Sequence, residues 1–269
     1  MNRSGNRRLK YLRKYLPALG LVLLAAALLL WFLPARWAMP WLAPRLHGLR
    51  LQQVQGLLWD GRADQVVAAD GHVLGRLQWQ LSRLALLGTL RLRLDFEGPQ
   101  LAFSGGVQRL PGGQIASREV NIRAELAALD PYIKSPLGQP RGELQLTIGH
   151  ALLQGGWPLQ LQAQAQWRHA VMQTRGGDVA LGDLQWQAQA QDGVIRGQVH
   201  DDGKGPLHAD GQMQLSPLGW RLDAVLRPRQ TDPALRRWLA GLGQPAADGS
   251  VHIRRSSGLA GSVPAPSTQ

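Results

Sequence analysis

From Leu49 onward, hydrophobic and polar residues alternate with a period of two. "LQLQAQAQW" (159–167) and "LQWQAQAQ" (184–191) put Leu, Ala or Trp on one side and Gln on the other. That is the pattern of a strand with one apolar face and one uncharged polar face. The same alternation runs through "RLRLDFEG" (91–98), "REVNIRAEL" (118–126), "GELQLTIG" (142–149) and "GWRLDAVLR" (219–227). Breaks such as "GPQ", "PGGQ", "QDG", "DDGKGP" and "ADG" fall between them and read as turns. Long helical periodicity is missing from this part, which is therefore predicted to be mainly antiparallel β.

The pattern is written twice. "LGRLQWQL" (74–81) returns 107 positions later as "LGDLQWQA" (181–188), and with the same offset Gly98-Pro99 falls on Gly205-Pro206. "LDPYIKSPLGQPRGELQLTI" (129–148) is echoed by "TDPALRRWLAGLGQPAADGSVHI" (231–253), each with Asp-Pro, a short helix-compatible stretch, "LGQP" and a strand. Two tandem copies are predicted, about 50–150 and 160–255, together forming a curved sheet with one short helix per copy. Asp130 and Asp232 are expected to cap those helices, with Pro131 and Pro233 at the first helical position. Leu77, Trp79 and Leu81 are expected to face inward in the first copy, and Leu184, Trp186 and Ala188 in the second. Packing accounts for the tryptophans without a ligand.

Ahead of the strands the pattern changes. Leu16 to Leu33 is an uncharged run of 18 residues behind six cations (Arg3, Arg7, Arg8, Lys10, Arg13, Lys14). At about 1.5 Å per residue the run spans about 27 Å, enough for a hydrocarbon core of about 30 Å. Trp31, Phe32, Trp37 and Trp41 gather at its far end, as aromatic residues do at a membrane interface. A cleaved signal peptide has a shorter apolar region and a small-residue cleavage site; here the run ends in the bulky "WFLPARWAMP". The organisation read from this is a basic cytoplasmic segment (1–15), a single transmembrane anchor (16–33), a juxtamembrane linker (34–48), a β domain across the membrane (49–255) and a disordered tail (256–269). The strands are expected to pair among themselves and to need nothing from the anchor.

Charge and composition narrow the function. The net charge is +12, but residues 1–59 hold nine Arg or Lys and no acid, leaving 21 basic and 18 acidic residues, or +3, in the rest. So balanced a body offers no footprint for nucleic acid. With no cysteine, thiolate metal sites and Cys nucleophiles are excluded. "VHDDGKGPLHADG" concentrates His200, Asp201, Asp202, His208 and Asp210, a candidate metal or acid/base site, yet it reads more simply as a charged hairpin turn. No nucleotide, hydrolase or zinc motif is present, and neither a cofactor nor catalysis is expected.

The segment "LQQVQGLLWDGRADQVV" (51–67) resembles the type II secretion system protein N family, which carries a Gly-x-Leu-Trp-x-Gly signature soon after a single membrane anchor. The matching residues are Gly56, Leu58, Trp59 and Gly61, with a departure at Leu57, where the family pattern has a small hydroxyl residue. "LGRLQWQLSRLALLGTLRL" (74–92) looks like the family's next strand, hydrophobic segment and Gly, and "DPALRRWLAGLGQPAADGSVHIRRSSG" (232–258) is similar to its closing helix and strand. The resemblance covers about residues 15–258. It implies an inner-membrane protein with a periplasmic body that supports export of folded proteins, touching the outer-membrane secretin and inner-membrane components. The family is similar to AsmA-like envelope proteins, which leaves open an alternative in which a β-trough binds lipid or other hydrophobic molecules.

Overall fold

The computed structural model describes residues 28–42, 44, 48–130, 133 and 135–258. Thirteen strands form one open sheet in which each strand pairs antiparallel with the next in sequence. They are β1 (Arg50–Gly56), β2 (Asp60–Val67), β3 (Val73–Leu81), β4 (Arg91–Glu97), β5 (Leu101–Arg109), β6 (Ile115–Glu125), β7 (Gln139–Gln154), β8 (Trp157–Thr174), β9 (Gly177–Gln191), β10 (Val194–Asp201), β11 (Leu207–Ser216), β12 (Gly219–Pro228) and β13 (Val251–Gly258). Among the described residues, residues 28–31 are helical and two short α-helices accompany the sheet, α1 (Ala35–Leu42) before β1 and α2 (Pro233–Ala240) between β12 and β13. The mainly antiparallel β architecture is the expected one.

Register decides whether a period-two pattern adds up to a surface, because a one-residue slip turns every side chain over. Here the apolar positions line up across all the strands. Val54, Ala63, Leu77, Phe96, Phe103, Ile122, Leu146, Ala165, Trp186, Val199, Gly211, Ala224 and Ile253 are successive partners from β1 to β13. On the opposite face the glutamines pair, Gln162 with Gln189, Gln164 with Gln187 and Gln166 with Gln185, all exposed. A sheet beyond about ten strands tends to curl. Residues of β7 and β8 (Gln139, Gln173) line one cavity with residues of β12 and β13 (Leu222, Ile253), so the late strands bend towards the middle ones. Bulges at Glu119 in β6 and His169 in β8, both in the left-handed region, help that bend.

Most of the buried apolar residues described fall into two unequal clusters. The larger one comprises ten residues, among them Met172, Val179, Leu184, Leu207 and Val251, covered by Leu235 and Leu239 of α2. The smaller one is Ala35, Ala63 and Trp79, with Leu77, Leu92 and Leu94 half-buried against it. Asp232 caps α2, its side chain accepting from the Ala234 amide at 2.8 Å, with Pro233 at the first position. Both copies of the Leu-Gly motif place a glycine against a second glycine on the neighbouring connection. A Cβ on Gly75 would stand 2.7 Å from the Gly98 Cα, and one on Gly182 2.6 Å from the Gly205 Cα.

Several expectations change. The stretch expected to be a linker contains helix α1, whose Ala35 is fully buried. The body does draw on the chain ahead of it, as detailed below. Asp130 follows a 3-10 turn (Leu126–Leu129) and pairs with Arg141; whether a helix follows it lies outside the described residues. β13 runs to Gly258, so residues 256–258 belong to the sheet and not to a tail. The basic segment 1–15, most of the anchor including Leu16, and residues 259–269 lie outside the described residues. Among those described, no helix is long and apolar enough to cross a membrane; residues 28–31 are helical and Leu33 follows them.

Candidate functional site

The four signature residues come together in the turn between β1 and β2, and that turn grips the end of the helical segment 28–31. Helices finish with carbonyls that lack intrahelical partners. One of these, and a second carbonyl just past the helix, are met here from the turn. The Trp59 indole N–H donates to the Leu30 carbonyl at 2.9 Å, and the Leu58 amide donates to the Leu33 carbonyl at 2.9 Å. Pro34 bridges to Leu57, and α1 begins at once with the buried Ala35. Each bond is worth about 0.5–1.5 kcal/mol net, and burial of the Trp59 ring adds to them.

The turn itself depends on its glycines. Gly56 has φ +88°, and a Cβ there would stand 2.6 Å from the Asp60 carbonyl oxygen. Gly61 lies under the Trp79 ring, which a Cβ would overlap. Trp79 is held in place by its indole N–H, which donates to the Leu58 carbonyl at 3.1 Å, while the Leu81 amide donates to the Trp59 carbonyl at 2.6 Å. Signature turn, β3 and helix end thus form a single clasp. Leu57 contributes backbone: its amide donates to the Asp60 carbonyl at 2.8 Å and its carbonyl accepts from the Asp60 amide at 3.2 Å. A side chain other than a small hydroxyl is therefore accommodated at that position.

Of the other core positions, Leu77 and Trp79 belong to the small cluster, and Leu184 and Trp186 to the large one. Trp186 stacks on Trp167, with ring centroids 6.3 Å apart and planes 18° apart. The Trp238 indole on α2 donates to the Leu137 carbonyl at 3.0 Å, tying the helix to the chain before β7.

The polar concentration at 200–210 separates into two groups. His200 and Asp210 are an exposed cross-strand pair 3.0 Å apart. Asp201 is buried and accepts from the Ala209 and Gly203 amides, and contacts the His208 Nδ1 at 2.9 Å and the Arg229 guanidinium. Burial alone would raise its carboxyl, but the hydrogen bonds from Arg229, the two amides and His208 outweigh that and hold it well below the usual carboxylate range. Asp202 accepts from the Lys204 and Gly205 amides, closing the turn. These contacts fasten a hairpin. Among the described residues no group of three or more His, Asp or Glu is placed to hold a metal. Arg229, which completes the cluster from beyond β12, was not legible from the sequence; nothing local marks it.

A single antiparallel sheet, its first turn clasped to the end of a helical segment, defines the class of the fold. The chain belongs to the type II secretion system protein N family, whose model matches residues 47–254, and is thus a component of that secretion machinery. It is 28% identical over 220 residues to the type II secretion system protein N of Klebsiella pneumoniae, covering 80% of this chain and 84% of that one. No solved structure matches it.

Proposed function

We propose that the protein is a single-pass inner-membrane component of the type II secretion system, N-terminus cytoplasmic and sheet periplasmic, which supports export through protein–protein contacts and not through catalysis. The clasp carries this reading: the signature residues Gly56, Leu58, Trp59 and Gly61 build the joint between the end of the apolar N-terminal run and the sheet. A joint of that kind sets the direction in which the body stands. The two-copy organisation, supported by the matched glycine contacts and the recurring Trp strand, lengthens one sheet between two edges, β1 and β13. Exposed edges accept a further strand, which suits contact with the secretin or inner-membrane partners. Photocrosslinkers at Gln55 on β1 and Ser256 on β13, in intact cells, should capture components of the secretion machine. Recovery of none would contradict the reading.

A second reading has its own observation. The cavity under α2 measures about 1400 Å³, above the roughly 300–1,000 Å³ of small-molecule pockets. Its lining is mixed: apolar Leu137, Val179, Leu222, Trp238, Leu242 and Ile253 share it with Gln139, Gln173, Thr174 and the cations Arg175, Arg237 and Arg255. Binding of a lipid or another hydrophobic molecule in an AsmA-like trough suits that lining. Native mass spectrometry of the full chain should then show bound lipid that Leu222→Glu loses; equal retention by both proteins contradicts it.

A further inference from the structure

Between β3 and β4 the chain makes a 3-10 turn, Arg83–Leu87, in which no residue is buried. Leu84, Leu86 and Leu87 are 51%, 56% and 80% exposed. The turn is nonetheless well fastened. The Ser82 hydroxyl accepts from the Leu84 amide at 3.2 Å, the Ser82 amide donates to the Arg91 carbonyl at 2.8 Å, and Gly88 closes the turn in the left-handed region. Three leucines are therefore held outward by their own backbone.

The Arg83 guanidinium carbon lies 4.4 Å from the centre of the Trp31 ring, so the turn stands beside the end of the helical segment. There Leu29, Trp31 and Phe32 are exposed as well, as is Trp37 of α1. Aromatic rings, leucines and an arginine whose guanidinium lies over one of the rings are the composition of a membrane interface, where the rings sit at the headgroups and a cation can meet phosphate.

We infer that the Arg83–Leu87 turn is a second membrane contact, its leucines entering the bilayer surface at which the N-terminal helix emerges. This rests on the anchored reading above. Together the helix and the turn define two points of attachment, and with the clasp they fix the tilt of the sheet on the membrane.

The native chain has no cysteine, so single substitutions give clean labelling sites. Leu86→Cys and Leu87→Cys, each carrying an environment-sensitive dye, are compared with Val73→Cys, which is 56% exposed at the other end of β3, about 26 Å away along the strand. The full chain is placed in vesicles of phosphatidylethanolamine and phosphatidylglycerol containing a spin-labelled lipid quencher. Quenching several-fold stronger at positions 86 and 87 than at 73 is expected. Equal quenching at all three, in protein that resists carbonate extraction, overturns the contact and leaves the anchor intact. Protein stripped from the vesicles by carbonate overturns both.

Discussion

Trp79 and Trp186 occupy the same place in two copies of one sequence pattern, and their surroundings differ. Trp186 stacks on Trp167 beside a cluster of ten buried residues sealed by α2, an element of its own copy. Trp79 lies over Gly61 in a cluster of three, one of which is Ala35 from the chain ahead of the sheet. The later strands carry their own cover, and the earlier ones borrow it. Stability of β1–β3 is therefore coupled to the N-terminal segment, whereas that of β8–β13 is coupled to α2.

The largest expected effect is in the self-covered region. Leu235→Ala or Leu239→Ala removes a fully buried side chain and should cost about 2–5 kcal/mol. Hydrogen exchange should show β8–β13 losing more protection than β1–β3; uniform loss would mean that the two regions do not differ as described. Asp201→Ala comes next, at about 3 kcal/mol, because it strips a buried carboxylate from a partly exposed arginine. The sign with pH follows from a folded carboxyl held low: the Asp201 contribution is full above about pH 4 and declines as acid protonates it. Denaturant midpoints measured between neutral and acidic pH should fall less steeply for Asp201→Ala than for the native chain.

In the borrowed region, Gly61→Ala places a methyl group against the Trp79 ring and should cost about 1–3 kcal/mol. Gly149→Ala in β7, where a Cβ meets nothing within 4 Å, should stay within about 0.5 kcal/mol of native. Equal effects of these two substitutions on the unfolding midpoint would remove Gly61 from the clasp. Within the clasp the smallest effect is that of Trp79→Phe, which keeps most of the ring but loses the bond to Leu58, about 1 kcal/mol, still above the Gly149→Ala control. Paired thermal melts should show it.

The strands were legible because period two fixes which side chains share a face, and the Asp232 cap because Asp-Pro carries its own local geometry. Neighbour order across thirteen strands was not legible, since alternation says nothing about which strand pairs with which. The clasp escaped for a related reason. Trp59 and Leu58 donate to backbone carbonyls of Leu30 and Leu33, and a carbonyl has no side-chain signature. The signature itself was visible, but its purpose lay in a contact nearly thirty residues away. Helix α1 was missed because eight residues containing Pro40 give too short a pattern.

The central claim is that the signature turn holds the N-terminal helix rigidly against the sheet. Spin labels at Leu28→Cys and Gln100→Cys in the otherwise cysteine-free chain, reconstituted in a bilayer, report on it directly through pulsed dipolar spectroscopy. The account predicts one narrow distance distribution that broadens when Trp59→Ala removes the indole bond to Leu30. A broad distribution in the chain with Trp59 intact, as for a helix on a flexible tether, would contradict it.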